Sequence, residues 1–114
     1  MIRYLKFENQ ELPIRISYYA LKRLKLDLGR SFSTDDDGTD YEVYETLLYY
    51  ALKKGYEKTK KEFPFSKEDM EKIMDEVYFD FLRLIPEFFE DMSISAEELK
   101  VKGGDVEPAK KLNP

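Results

Sequence analysis

Apolar residues recur along this chain with two different periods, and the switch between them marks its elements. Residues 2–7 are rich in β-branched and aromatic side chains and read as a first strand, and residues 12–16 as a second. Glu8, Asn9, Gln10 and Glu11 between them predict a hairpin loop of about four residues. Ile14 and Ile16 fall on one face and Arg15 on the other. Pro13 has no N–H to donate, which suits an edge strand or a strand start. A lone hairpin is marginal in water, so this one needs a helix to pack on.

From Ser17 onward the period becomes helical. Ser17 is a good N-cap, Leu21, Leu24 and Leu28 fall at i, i+3 and i+7, and Gly29 is the expected stop. Residues 39–55 read as the central helix. Thr39 and Glu42 have capping-box spacing, Lys53 and Lys54 suit a last turn, and Gly55 is the expected terminator. Residues 47–52 carry no charge on any face, which predicts burial on several sides. A basic connector leads to Pro64. Ser66 and Asp69 then form another capping pair, opening a helix with Met70, Ile73, Met74, Val77, Tyr78 and Phe81 on one stripe. Pro86 is expected to kink or end this helix, or to begin a short final one carrying Phe88, Phe89 and Met92.

From Ser93 the apolar density drops, and isolated apolar residues cannot offset a backbone ordering cost of about 1–2 kcal/mol per residue. The expectation is an α+β fold: an N-terminal β-hairpin packed on a small bundle of three to four α-helices, with a disordered C-terminal tail. The single domain is assigned to residues 1–92 and the flexible polar tail to 93–114.

Composition removes more chemistry than it suggests. The 114 residues include no cysteine and no histidine, which excludes disulfides, thiolate chemistry and Ser-His-Asp catalysis, and makes a structural zinc site implausible. No apolar run approaches the roughly 20 residues of a membrane helix, and no signal peptide is read at the N-terminus, so the expected compartment is the cytoplasm. The acidic run in 33–38 invites a calcium reading. With Gly38 at loop position six, however, the last ligand position falls on Tyr44, where a bidentate Glu is required. Adjacent acid pairs such as Asp75 with Glu76 do not face each other on a helix and make no acid/base dyad. No cofactor, metal or catalytic residue is predicted, and the protein is expected to be no enzyme.

Charge is unevenly spread. Residues 53–67 hold six basic and two acidic side chains, whereas residues 68–98 hold eleven acidic and two basic. The acidic half argues against nucleic-acid binding. Aromatic content is the distinctive feature, with nine Tyr and eight Phe. Neighbours on a helix point about 100° apart, so each doublet, Tyr18–Tyr19 and Tyr49–Tyr50, can send one ring to the core and one to the rim. Tyr suits interfaces because it joins a large apolar body to a polar tip. The candidate partner-binding residues are Tyr18, Tyr19, Tyr49, Tyr50, Phe79, Phe88, Phe89 and Met92.

A hairpin runs through Pro-Ile-Arg-Ile-Ser-Tyr-Tyr-Ala-Leu-Lys-Arg-Leu (13–24) into a helix ending at Gly29. An acidic loop, Leu-Leu-Tyr-Tyr-Ala-Leu-Lys-Lys-Gly (47–55) and a Ser-x-x-Asp-capped helix with an aromatic end follow. This arrangement resembles the tail assembly chaperones of long-tailed phages and prophages, over residues 1–92. The resemblance implies a non-enzymatic protein of the host cytoplasm that coats the helical tape measure protein during tail assembly and is not expected in the mature virion. It also implies possible self-association, and a longer form made by frameshifting. Ala109-Lys110-Lys111 could be encoded as GCA-AAA-AAG, which contains a slippery heptamer. The alternative is a structural or regulatory tail component, of completion or connector type, on the same scaffold.

Overall fold

Two strands and three helices follow one another in the order β1 (Arg3–Phe7), β2 (Gln10–Ile14), α1 (Tyr18–Leu28), α2 (Tyr41–Lys58) and α3 (Asp69–Gly103). The computed structural model describes residues 2–32 and 39–103, with side chains as far as Glu90. The architecture is α+β, an antiparallel hairpin packed on three helices.

The hairpin is tighter than its composition suggests. Phe7 pairs with Gln10, so Glu8 and Asn9 alone make the turn, both with positive φ (49° and 64°). This is the type I′ geometry, whose twist matches that of the strands it joins. Shortening the loop from four residues to two brings Gln10 and Glu11 into β2. Leu5 then faces Leu12 across the ladder, and Leu5, Phe7, Leu12 and Ile14 are all buried.

β1 lies along α3 over a matching length. Near one end the Glu8 N–H donates to Glu76 Oε2 at 3.1 Å, and at the other Arg3 pairs with Glu87 at 3.2 Å and lies over the Phe88 ring. Five strand steps span roughly 17 Å. The eleven helical steps from 76 to 87 span roughly the same. This fit explains why α3 does not stop at Pro86, contrary to the sequence expectation. Phe81, Ile85 and Phe88 continue the buried stripe in phase through the proline, which itself sits on the exposed side. The helix continues past Met92 to Gly103 and so covers the first part of the stretch assigned to the tail. The remainder of that stretch, including Ala109–Lys111, and the acidic run 33–38 lie outside the described residues.

β2 lies on α2. The Arg15 N–H donates to the Ala51 carbonyl at 3.0 Å. One turn further along, a Cβ on Gly55 would stand 2.2 Å from the Pro13 carbonyl oxygen. Gly55 is therefore not the end of the central helix but the place where a strand crosses it. The helix ends at Lys58 in a Schellman motif: the Lys61 N–H donates to the Tyr56 carbonyl, the Lys60 N–H to that of Glu57, and Lys60 takes the left-handed conformation (φ 61°). At the other end the N-cap is Asp40, not Thr39. The Asp40 side chain is held by Arg30 through two hydrogen bonds, at 2.9 and 3.0 Å. Arg30 also binds Glu42, the residue expected to complete the capping box.

Other sequence-level signals are realised. Ser17 Oγ accepts from the Ala20 N–H, Gly29 closes α1 at φ 73°, and the Asp69 carboxylate accepts from the Ser66 N–H at 2.8 Å. On α1 the core residues are Ala20 and Leu24, with Leu21 and Leu28 half-buried. Val43, Tyr44, Leu47, Leu48, Ala51 and Leu52 of α2 are buried, as expected of a helix covered on several sides. Tyr49, Tyr56, Phe63 and Phe65 stack edge-on or tilted with centroids 5.5–6.2 Å apart, which seats the connector on α2.

Candidate partner-binding surface

The predicted partner residues separate into four environments. Tyr18 is the most exposed, at 77%, on the outer side of α1. Tyr19, Tyr49 and Tyr50 form one edge-to-face group: Tyr19 to Tyr50 at 6.0 Å and Tyr49 to Tyr50 at 4.9 Å. Phe88 is buried under Arg3, and Phe89 stacks on Phe32 at 5.4 Å and 10°. Phe79 stands apart, 70% exposed. The Met92 side chain lies outside the described residues.

The tyrosine group is a clamp between elements. The Tyr50 hydroxyl donates to Asp27 Oδ2 at 2.6 Å, and Lys67 Nζ donates to the same oxygen at 3.0 Å. The Lys67 ammonium also lies over both the Tyr49 and Tyr50 rings. The Tyr50 hydrogen bond and then that of Lys67 hold the Asp27 carboxyl below its ordinary pKa. Asp27 is on α1, Tyr50 on α2, and Lys67 precedes α3, so one carboxylate joins all three. This explains why Tyr50 is buried although its doublet partner Tyr49 is only half so. Phe88 and Tyr50 are thus packed in the core.

The open aromatic surface is elsewhere. A groove of about 320 Å³ runs between the start of α2 and the middle of α3, lined by Tyr41, Tyr44 and Glu45 on one side and Glu71, Met74, Asp75, Glu76, Tyr78 and Phe79 on the other. Tyr41 approaches Tyr78 at 6.2 Å and Tyr78 approaches Phe79 at 5.1 Å. Tyr41 is 61% exposed, so this groove offers two large rings, Tyr41 and Phe79, to a partner. A second, more polar hollow of about 600 Å³ continues from it along α2, sharing Glu45 and bounded by Leu26, Tyr49 and Lys67.

The groove is acidic. Among the described residues that line it, four are carboxylates and none is basic. Glu76 accepts the Glu8 N–H, whereas Glu45, Glu71 and Asp75 form no ion pair among the described residues. Burial raises the pKa of the Glu45 carboxyl, and the charges of Glu71 and Glu42 raise it further.

Of the seven predicted residues whose side chains are described, only Phe79 lines this groove, and Tyr41, Tyr44 and Tyr78 are not among the predicted set. Tyr78 is legible in the sequence only as part of the core stripe of α3. Tyr41 carries no local signal beyond its residue type, because its neighbours across the groove are thirty or more positions away. Among the described residues no group of three or more acidic side chains is placed to hold a metal, and no helix is long and apolar enough to cross a membrane. No protein-family model, curated protein or solved structure matches the chain.

Proposed function

We propose that this chain is a phage tail assembly chaperone, a non-enzymatic protein that binds the tape measure protein of a long-tailed phage or prophage while the tail is built. The observation that carries the reading is the open groove between α2 and α3, where Tyr41 and Phe79 stand exposed at 61% and 70% on a domain whose other large side chains are mostly packed. Rings of this size held in the open suit a partner that supplies the missing apolar contact. A helix laid in a groove between two helices is a standard way of supplying it. The resemblance names such a client: a long helical protein that needs cover until tube subunits assemble round it. On this reading the protein works in the host cytoplasm and is not part of the mature virion.

The test is retention. The tape measure protein encoded in the same genome, applied at micromolar concentration to the immobilised chain, is expected to be held, and Tyr41→Ala with Phe79→Ala to release it while circular dichroism stays unchanged. No retention by the unaltered chain would overturn the reading, as would finding the protein in purified mature tails.

A further inference from the structure

We propose that the α2–α3 groove selects a cationic amphipathic helix, taking the client's apolar side chains on Tyr41 and Phe79 and its Lys or Arg side chains against Glu45, Glu71 and Asp75. This rests on the reading of the chain as the binder of a helical client, and adds the chemistry by which that client is recognised.

The argument begins with charge. Three carboxylates edge the groove with no ion pair among the described residues, and no basic side chain lines it. Several carboxylates elsewhere on this surface have found cations: Asp40 and Glu42 hold Arg30, Glu57 holds Lys54, and Asp27 holds Lys67. The groove gathers its carboxylates around exposed aromatic rings with no cation among the described residues that line it. Glu45 makes this sharper, because it is half-buried and close to two further acids that disfavour its ionised form. A cation brought beside it would relieve that repulsion, whereas an acidic or purely apolar partner would not.

Spacing then points to a helix. Glu71 and Asp75 are four residues apart on α3 and lie one above the other, with Phe79 a further turn along the same stripe. Tyr41 and Glu45 have the same i, i+4 relation on α2. Each wall therefore repeats at one helical turn, about 5.4 Å. A partner helix with basic residues four apart, flanking an apolar stripe, matches that repeat. The exposed Tyr41 ring can also take a Lys or Arg over its face, as tyrosines of this protein do with Lys22 and Lys54.

The probe is a fluorescein-labelled amphipathic peptide of about 20 residues, long enough to be helical, with an apolar Leu stripe flanked by Lys at i and i+4. Its twin carries Glu in place of each Lys. Fluorescence anisotropy is expected to show the Lys peptide binding at least about tenfold more tightly than the Glu twin, with the difference shrinking as added salt screens it. The triple change Glu45→Lys, Glu71→Lys and Asp75→Lys, checked for folding by circular dichroism, is expected to reverse the preference. If the triple variant does not fold, Glu45→Gln with Asp75→Asn replaces it and is expected to cut the preference severalfold. Equal binding of the two peptides, or a preference that survives the changes, overturns the proposal. So does a change of oligomeric state on the triple substitution with peptide binding unaltered, since the groove would then be a contact between copies.

Applying the tape measure protein to the same variants separates the two readings. Retention by every variant would leave the chaperone reading standing and remove the acidic groove from it. Selective binding of the Lys peptide without retention of the tape measure protein would do the opposite.

Discussion

A methyl group at position 55 would stand 2.2 Å from the Pro13 carbonyl oxygen and 2.8 Å from the Ile14 nitrogen, and both are backbone atoms that no side-chain rotation can clear. Gly55→Ala should therefore destabilise the protein by about 2–4 kcal/mol in denaturant titration, despite a helix-propensity gain of about 1 kcal/mol. The Asp27 carboxylate sets a second test at this scale. Its folded-state pKa is lowered by Tyr50 and then Lys67, so its contribution is present above the ordinary Asp pKa of about 4 and is lost as pH falls through the lower folded value. Tyr50→Phe removes the 2.6 Å hydrogen bond and should cost about 1 kcal/mol at neutral pH. The Asp27 carboxyl resonance should titrate at higher pH in that variant, and the stability gap between the two proteins should narrow in acid.

At the scale of elements, the ends of α2 show how a local signal yields to packing. Gly55 has the residue type of a helix stop but is spent on the crossing with β2, and the stop falls to Lys60, a residue poorly suited to φ 61°. Lys60→Gly should thus stabilise the protein by about 1 kcal/mol, the opposite sign to the loss of glycine at 55. Comparing the two variants by thermal unfolding checks the assignment of both positions. α3 shows the same competition. Pro86 removes a hydrogen bond and crowds the preceding turn, yet Glu87, Phe88 and Phe89 beyond it are held by Arg3 and Phe32.

For the whole molecule, one buried cluster links Leu5 and Leu12 of the hairpin to Leu24 of α1, Leu47 of α2 and Phe81 of α3. Among the described residues no element has a core of its own, so unfolding should be a single cooperative transition. Far-UV circular dichroism and tyrosine fluorescence should give coincident curves in denaturant, and separated midpoints would show that the hairpin or a helix melts alone. The charge layout also belongs to this scale. The acidic groove lies at the start of α2, whereas Lys53, Lys58, Lys60 and Lys61 are exposed at its other end, so the molecule carries opposite fields along one helix.

Periodicity and some end signals are properties of short windows, and these were legible: the presence of the hairpin and of three helices, the Ser17 and Gly29 caps, the Ser66–Asp69 pair and the Met70-to-Phe81 stripe all rest on residues within a turn or two of one another, whereas the stops expected at Gly55 and Pro86 were overridden. What the window could not hold was the use to which a residue is put by a distant neighbour. Gly55 answers to Pro13, Tyr50 to Asp27, Phe88 to Arg3, and Tyr41 to Tyr78 and Phe79. In each case residue type specified what the side chain is able to do. The crossing of elements far apart in the chain selected which of those roles it fills, because burial and contact are set by all the surfaces that meet at a point.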